Sequence, residues 1–400
     1  MVGKATLFVV AGFSLIFLVV EYNMGNVSTR AVSNFVDYYL ENYAHEAAVG
    51  GANLAANEMF LNQSWINGFS DLDFKGAKVN ISVGIIDAFK NTRRITSTAE
   101  YQGVKQTVEV TLVPSKFSKF AYYSVSEGAN IYWTTNDTVW GPFHTQDKFK
   151  VSGNPVFFGK VTTLKGYSKT ATSKPKFYGG YESGINLPFP ADGITNVAAE
   201  ASSGGNTITG KDTVYVTFAS DSIKIKYGFK GAETSYLASS FSPNGVIFVK
   251  NAKTVRTKGT VKGQYTLASD KGDIYLDDDI VYNTDPLKNP NSTDVLGIVA
   301  KSNVIITDNA VNNKDINIEA SIYCETGSFS AQNYDKRPVS GTISLLGGII
   351  QYQRGPVGTF SGSKIKSGFN KSYMYDERLL LTYPPAFPGT GSFEIVSWYE

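Results

Sequence analysis

Cysteine is almost absent from this 400-residue sequence. Cys324 stands alone, so no disulfide can close within the chain and stability must come from packing. Histidine is nearly as scarce. With only His45 and His144, most His/Cys metal sets and most nucleophile–base pairs cannot be assembled. Charge is sparse too, at 18% of residues with a net of +2, which leaves no basic footprint for nucleic acid.

What the sequence does have is greasy and sits at the front. Leu7 to Val20 (LFVVAGFSLIFLVV) is unbroken by charge and holds eleven large apolar side chains. Fourteen residues of helix span about 21 Å, and a start at Ala5 gives about 24 Å. Against a bilayer core of about 30 Å this is a short span, with Tyr22 placed for the interface. Burying each large side chain is worth about 1.5–3 kcal/mol, so the gross driving force is on the order of 15–30 kcal/mol. A cleaved secretory signal has a similar core, but EYNMGNVSTR offers no small-x-small cleavage site and continues a helical pattern. The expectation is a retained helix. Leu7, Val10, Phe13, Phe17 and Val20 form its filament- or membrane-facing surface, and Gly12 and Ser14 permit close helix contact.

The pattern runs on to Leu61. Val32, Phe35, Val36, Tyr39, Tyr43, Ala47, Gly51, Leu54, Ala55 and Met59 recur at steps of three and four, one face of a helix. Phe35, Tyr39 and Tyr43 are its expected packing residues, and Gly50-Gly51 is an expected kink. A polar connection (NQSWINGFSDLDFKG) follows. Then come strand-like runs at Lys78–Ile85, Arg94–Tyr101 and Val104–Val113, the last two joined by a Gln102-Gly103 hairpin signal.

From Tyr122 the chain reads as short strands separated by Gly, Asn and Asp. A sandwich would tolerate such short, irregular spacings, but alternating apolar residues broken by polar corners describe the sides of a coil, so the expectation is a β-solenoid. Residues 174–240 differ: a short helix at Asp192–Ala201 capped by Asp192, and a hairpin of Thr213–Ala219 with Ser222–Tyr227, are expected as an insertion. The expected fold class is therefore α+β. Its domains are a helix over 1–61, a small antiparallel meander over 62–114 packed on that helix, and a β-helical head over 115–400.

GPFHTQDKFKVSGNPVFFGKVTT (141–163), SPNGVIFVKNAKTVRTKGTVKGQYTLASDKGDIYLDDDIVYNTDP (242–286), GIIQYQRGPVGTFSG (348–362), SYMYDERLL and PPAFPGTGSFEIVSWYE resemble a family of bacterial envelope proteins. In that family a β-helical domain follows a type IV pilin-like N-terminus. Residues 5–61 likewise resemble the N-terminal helix of minor pilins and pseudopilins. The resemblance implies a structural, non-enzymatic subunit of a pilus-like filament, bound to the inner membrane before assembly and then exposed at the cell surface. Its partners would be copies of itself or other pilin-like chains, with a surface polysaccharide as a further contact. One departure stands out. Pilins usually carry Glu at the fifth mature position, where this chain has Phe8 or Ala5 depending on the start, and its first carboxylate is Glu21.

Other motifs are weaker. Gly205 to Lys211 nearly spells a phosphate loop, but Asp212 stands where Ser or Thr should reach magnesium, and a strand rather than a helix follows. Asp277, Asp278 and Asp279 are the densest acidic cluster and the one candidate site for Ca²⁺, although no EF-hand spacing is present. Calcium on a β-helix with an Arg or Lys base is the hardware of pectate-lyase-like enzymes. That makes a membrane-anchored carbohydrate-binding or carbohydrate-cleaving protein the alternative, with Arg256, Lys258 or Lys262 as base. No catalytic residue is assigned and no cofactor other than that Ca²⁺. His45 is expected to be solvated or paired, His144 to fix a turn, Cys324 to be buried and inert, and the aromatics to stack structurally.

Overall fold

The computed structural model of the protein describes residues 2–87, 91–190, 192–361, 364–380 and 382–400. They fall into two units: the chain up to Pro114 together with Gly391–Glu400, and Ser115–Thr390.

The first unit is built on one helix, α1 (Val2–Leu61). No proline interrupts its sequence. At 1.5 Å per residue its 60 residues extend about 90 Å. Every residue from Gly3 to Tyr39 is exposed, and burial begins only after that. There the large side chains of the stripe give way to small ones. Ala44, Ala47, Ala48, Ala52, Ala55 and Met59 are buried on an antiparallel sheet of β1 (Phe69–Phe74), β2 (Ala77–Asp87), β3 (Thr92–Tyr101) and β4 (Val104–Lys116). The sheet supplies Val79, Ile81, Ile95, Ala99, Val108 and Val110 to the same core. Small helix residues let the sheet come close. A Cβ on Gly51 would stand 2.7 Å from Val79 Cγ1 and inside contact distance of Ser97 Oγ.

Two expectations fail here for identifiable reasons. The helix passes straight through Gly50-Gly51, because tertiary packing outweighs the intrinsic cost of glycine. The polar connection contains β1, which pairs with β2 through a Lys75-Gly76 turn in which both residues have positive φ. The expected Gln102-Gly103 turn is present with the same signature and pairs Tyr101 with Val104.

The sheet has a fifth strand, Gly389–Tyr399, beside β4. Residues 391–400, expected in the head, belong to this first unit. Phe393 and Trp398 join its core, and the Arg93 guanidinium lies 4.8 Å from the Phe393 ring centroid.

The second unit is dominated by parallel ladders. In the longest, Asn206–Ile208 pairs with Val246–Val249, which pairs with Gln264–Ser269, then Val295–Ala300, Ile316–Cys324 and Val339–Gln353. The next partner is distant in sequence: Ile349 and Ile350 align with Tyr122 and Tyr123. From there the ladder continues through Phe143–Thr145 and Val161–Thr163 to Tyr181–Ser183. The chain thus enters this ladder in its middle, runs to one end, crosses to the other and returns. A second ladder joins Thr213–Ser220, Thr254–Val261, Asp273–Tyr282, Val304–Ile306 and Phe329–Ala331. Alternate residues point inward, as at Ile274, Leu276, Ile280 and Tyr282, and form one continuous apolar core.

The crossover is pinned by aromatics. The Phe189 ring stacks on Tyr323 at 5.0 Å and on Tyr123 at 5.5 Å, and the Tyr123 hydroxyl donates to the Leu187 carbonyl at 2.6 Å. The helix that follows, α2 (Gly193–Gly204), is not capped by Asp192. Its Ile194 amide donates instead to the Glu325 carboxylate at 2.8 Å. Residues 174–240 are not a separate insertion either. Asn206–Ile208 and Thr213–Ser220 are members of the two ladders, while α2 and the antiparallel arm Ser222–Tyr227 with Glu233–Leu237 depart from them. The two expected strands Thr342–Leu346 and Ile349–Tyr352 are one, Val339–Gln353. Gly347 and Gly348 do not break it. They sit where the Ala320 and Phe120 carbonyls approach too closely for any Cβ.

Replacing Gly51 by Val should therefore wedge the helix off its sheet. Overpacking of this kind costs about 1–3 kcal/mol, to be read as a lower urea midpoint for the first unit.

Candidate functional site

The N-terminal half of α1 is the largest exposed apolar feature among the described residues. Leu7 is 71% exposed, Phe13 59% and Phe17 69%, and Val10 and Val20 are similarly open. A Cβ on Gly12 would meet nothing within 4 Å, and Ser14 is exposed beside it. Lys4 and Glu21 are the first charges on either side, so the apolar surface continues around the helix for about four turns. By length and composition this helix can cross a membrane.

The three expected packing residues divide. Phe35 and Tyr39 remain exposed. Tyr43 packs: its ring lies 4.3 Å from that of Tyr101, and its hydroxyl donates to the Lys75 carbonyl at 2.7 Å. A helical stripe in the sequence does not separate a face covered by the chain's own sheet from one left open, so Phe35 and Tyr43 look alike until the sheet's extent is known. His45 is partnered, with Nε2 3.5 Å from a Glu400 carboxylate oxygen.

The acidic run does not form a cation site. Asp277 takes a two-pronged ion pair from Arg256, at 2.8 Å from Nε and 2.5 Å from Nη2, and accepts the Thr307 hydroxyl at 2.7 Å. Asp278 faces Lys258 at 3.8 Å. Asp279 accepts the Asn317 amide at 2.8 Å and its side-chain amide at 3.1 Å. Each carboxylate is spent on a neighbouring strand, and among the described residues no cluster of three metal-ligating side chains occurs. The bases required by a lyase are likewise occupied, Arg256 by Asp277 and Lys262 by Asp221 at 2.7 Å. The phosphate-loop look-alike lies between α2 and a strand, with Asp212 3.0 Å from Lys253.

His144 lies inside the strand Phe143–Thr145, not in a turn. Its imidazole is fully buried, stacked on Tyr123 at 5.3 Å with Nδ1 2.8 Å from the Thr162 hydroxyl. Burial pushes its pKa from 6.5 down to about 4. Burial also raises the Cys324 thiol to about 12, which leaves it unreactive at neutral pH. Stacked rings run along the ladders, as in Tyr122–Phe143 at 4.7 Å and Phe157–Phe177 at 5.2 Å. What sequence reasoning missed are two buried ion pairs, Arg354 with Glu127 and Lys371 with Asp137. Their members lie hundreds of residues apart, and no local pattern marks them.

Two outcomes follow. Because every carboxylate of the acidic run has a protein partner, EDTA or added Ca²⁺ should leave the thermal midpoint of the second unit unchanged. Because His144 must stay neutral when folded but takes a proton near 6.5 when unfolded, its contribution is complete above about pH 6.5 and declines as pH falls to about 4. That decline amounts to about 3 kcal/mol, and His144→Phe should flatten the pH dependence of urea unfolding across that window.

No family model and no curated protein matches this sequence. Among solved structures, the chain is similar to the crystal structure of the competence-associated pilin ComZ from Thermus thermophilus, at 10% identity. The match covers 90% of this chain and 96% of that one, with a TM-score of 0.42.

Proposed function

We propose that this chain is a structural, pilin-like subunit, held in the bacterial inner membrane and then in an extracellular filament by the first half of α1. The observation that carries this reading is the exposure of every residue from Gly3 to Tyr39 on a helix that carries no charge between Lys4 and Glu21. A contiguous apolar surface of that size is a site for lipid or for another protein. The same surface serves both: lipid before assembly, and the equivalent helices of neighbouring copies or other pilin-like chains afterwards. Gly12 and Ser14 supply the small contacts that let such helices approach.

In this reading the second unit is a β-helical head shown at the cell surface, with no turnover. Its long parallel ladders, crossed by inward-facing apolar columns, support a coil of stacked rungs. The occupied state of Arg256, Lys262 and the Asp277–Asp279 run weighs against the lyase alternative.

Phe13→Asp places an unpaired carboxylate in the apolar segment, at about 2.5–3.5 kcal/mol on insertion scales. Repeated in every subunit, that cost should abolish filaments and reduce membrane retention while leaving the circular dichroism of the β-rich unit intact. Membrane fractionation and electron microscopy of the same cells check both halves of the expectation.

A further inference from the structure

Within the second unit a cavity of about 190 Å³ opens where the strand Tyr122–Ser126 meets the loops around residues 131–134 and 354–358. Six aromatic residues line it: Tyr122, Tyr132, Trp133, Phe329, Phe360 and Tyr373. Tyr132 is exposed and Phe360 half-buried, so the cavity has a mouth, while Tyr122, Trp133 and Tyr373 are buried.

Its polar groups are unusual for an interior. The Arg354 guanidinium lies 4.0 Å from the Trp133 ring centroid and pairs with Glu127 at 3.1 Å. The Lys371 ammonium lies 5.4 Å from the same ring and pairs with Asp137 at 2.8 Å. All four charged side chains are almost fully buried. A purely apolar filling would stabilise the fold at least as well as two buried ion pairs. The indole Nε1 of Trp133 is also buried and has no hydrogen-bond partner, a cost that a bound acceptor would remove.

The inventory of donors and acceptors narrows the ligand. The carboxylates are well supplied, Glu127 by the Tyr122 and Ser124 hydroxyls and Asp137 by the Thr134 amide. Donors remain in excess: a guanidinium has five N–H groups, of which Glu127 and the Tyr132 carbonyl take two, an ammonium has three, of which Asp137 takes one, and the indole N–H has no partner. A ligand must therefore bring oxygen lone pairs. It should not bring charge, since both cations are already neutralised and an added anion would be desolvated without compensation. It should present an apolar C–H face to the aromatic walls. Pockets for drug-sized molecules run to about 300–1,000 Å³, so this one holds a single ring. A neutral pyranose meets all of these conditions.

We propose that this cavity binds one neutral pyranose, as a free hexose or as the terminal unit of a glycan. The proposal goes beyond filament assembly and does not depend on it. The test uses the full chain in a sugar-free zwitterionic detergent, titrated by calorimetry and tryptophan fluorescence with glucose, galactose, mannose and their neutral tetrasaccharides. Glucuronate and inorganic phosphate serve as anionic probes. Saturable millimolar binding of at least one neutral sugar is expected, weakened at least about tenfold by Trp133→Phe and by the rim variant Tyr132→Ala, a loss of about 1.4 kcal/mol. Tyr132→Ala leaves the core untouched, so a folding defect in Trp133→Phe does not empty the test. Stronger binding of tetrasaccharides identifies a glycan end as the source, and equal binding identifies a free sugar. Absence of saturation by every neutral sugar, binding of the anions alone, or binding indifferent to Tyr132→Ala would each overturn the proposal.

Discussion

Everything in the functional account depends on one unsatisfied surface. The large apolar side chains from Leu7 to Val20 are all exposed, and their gross burial energy exceeds the stability of a typical domain. By length and composition such a helix can cross a membrane. The downstream half of the same helix is handled differently. Its face shrinks to alanine and glycine at Ala47–Ala52, and the sheet closes on it with a Cβ-excluding contact at Gly51. One continuous helix thus has an exposed apolar half and a half packed on the chain's own sheet, and the change from Phe and Leu to Ala and Gly marks the passage between them.

The β-rich unit solves a separate problem, stability without disulfides. Parallel ladders bury backbone hydrogen bonds and stack like side chains on like, as in the Tyr122–Phe143 and Phe157–Phe177 columns. The connection that returns the chain from one ladder end to the other is held by Phe189 between Tyr123 and Tyr323, and by Glu325 at the start of α2. Charged side chains in this unit mostly serve neighbouring strands. Asp277 and Asp279 are examples, tied to Arg256 and Asn317.

The parts of this fold that were legible in the sequence are those governed by local periodicity and turn chemistry. The helix reads directly because its pattern is long and free of proline, and the Gln102-Gly103 hairpin because a two-residue pair ending in Gly joins two alternating runs. The Lys75-Gly76 hairpin carries a similar signal but was hidden in a segment read as polar. The pairing of Ile349 with Tyr122 was illegible, since contacts so far apart leave no trace in a local pattern. The same holds for the C-terminal strand beside β4 and for the Arg354–Glu127 and Lys371–Asp137 pairs. The acidic run misled for a related reason: adjacency in sequence suggested convergence, whereas successive strand residues point to opposite faces. Of the candidate site, Leu7 to Val20 were readable as one long apolar run without a charge. Phe35 and Tyr39 were not, because a stripe does not say where its covering sheet ends.

The most direct measurement is electron microscopy of filaments sheared from cells producing this chain, with mass spectrometry of their protein content and N-termini. The account predicts filaments that contain the chain with residues 5–20 intact, and none from cells producing a version that begins after residue 30. Filaments of the same diameter built from the shortened chain would contradict it, since assembly would then reside in the β-rich unit.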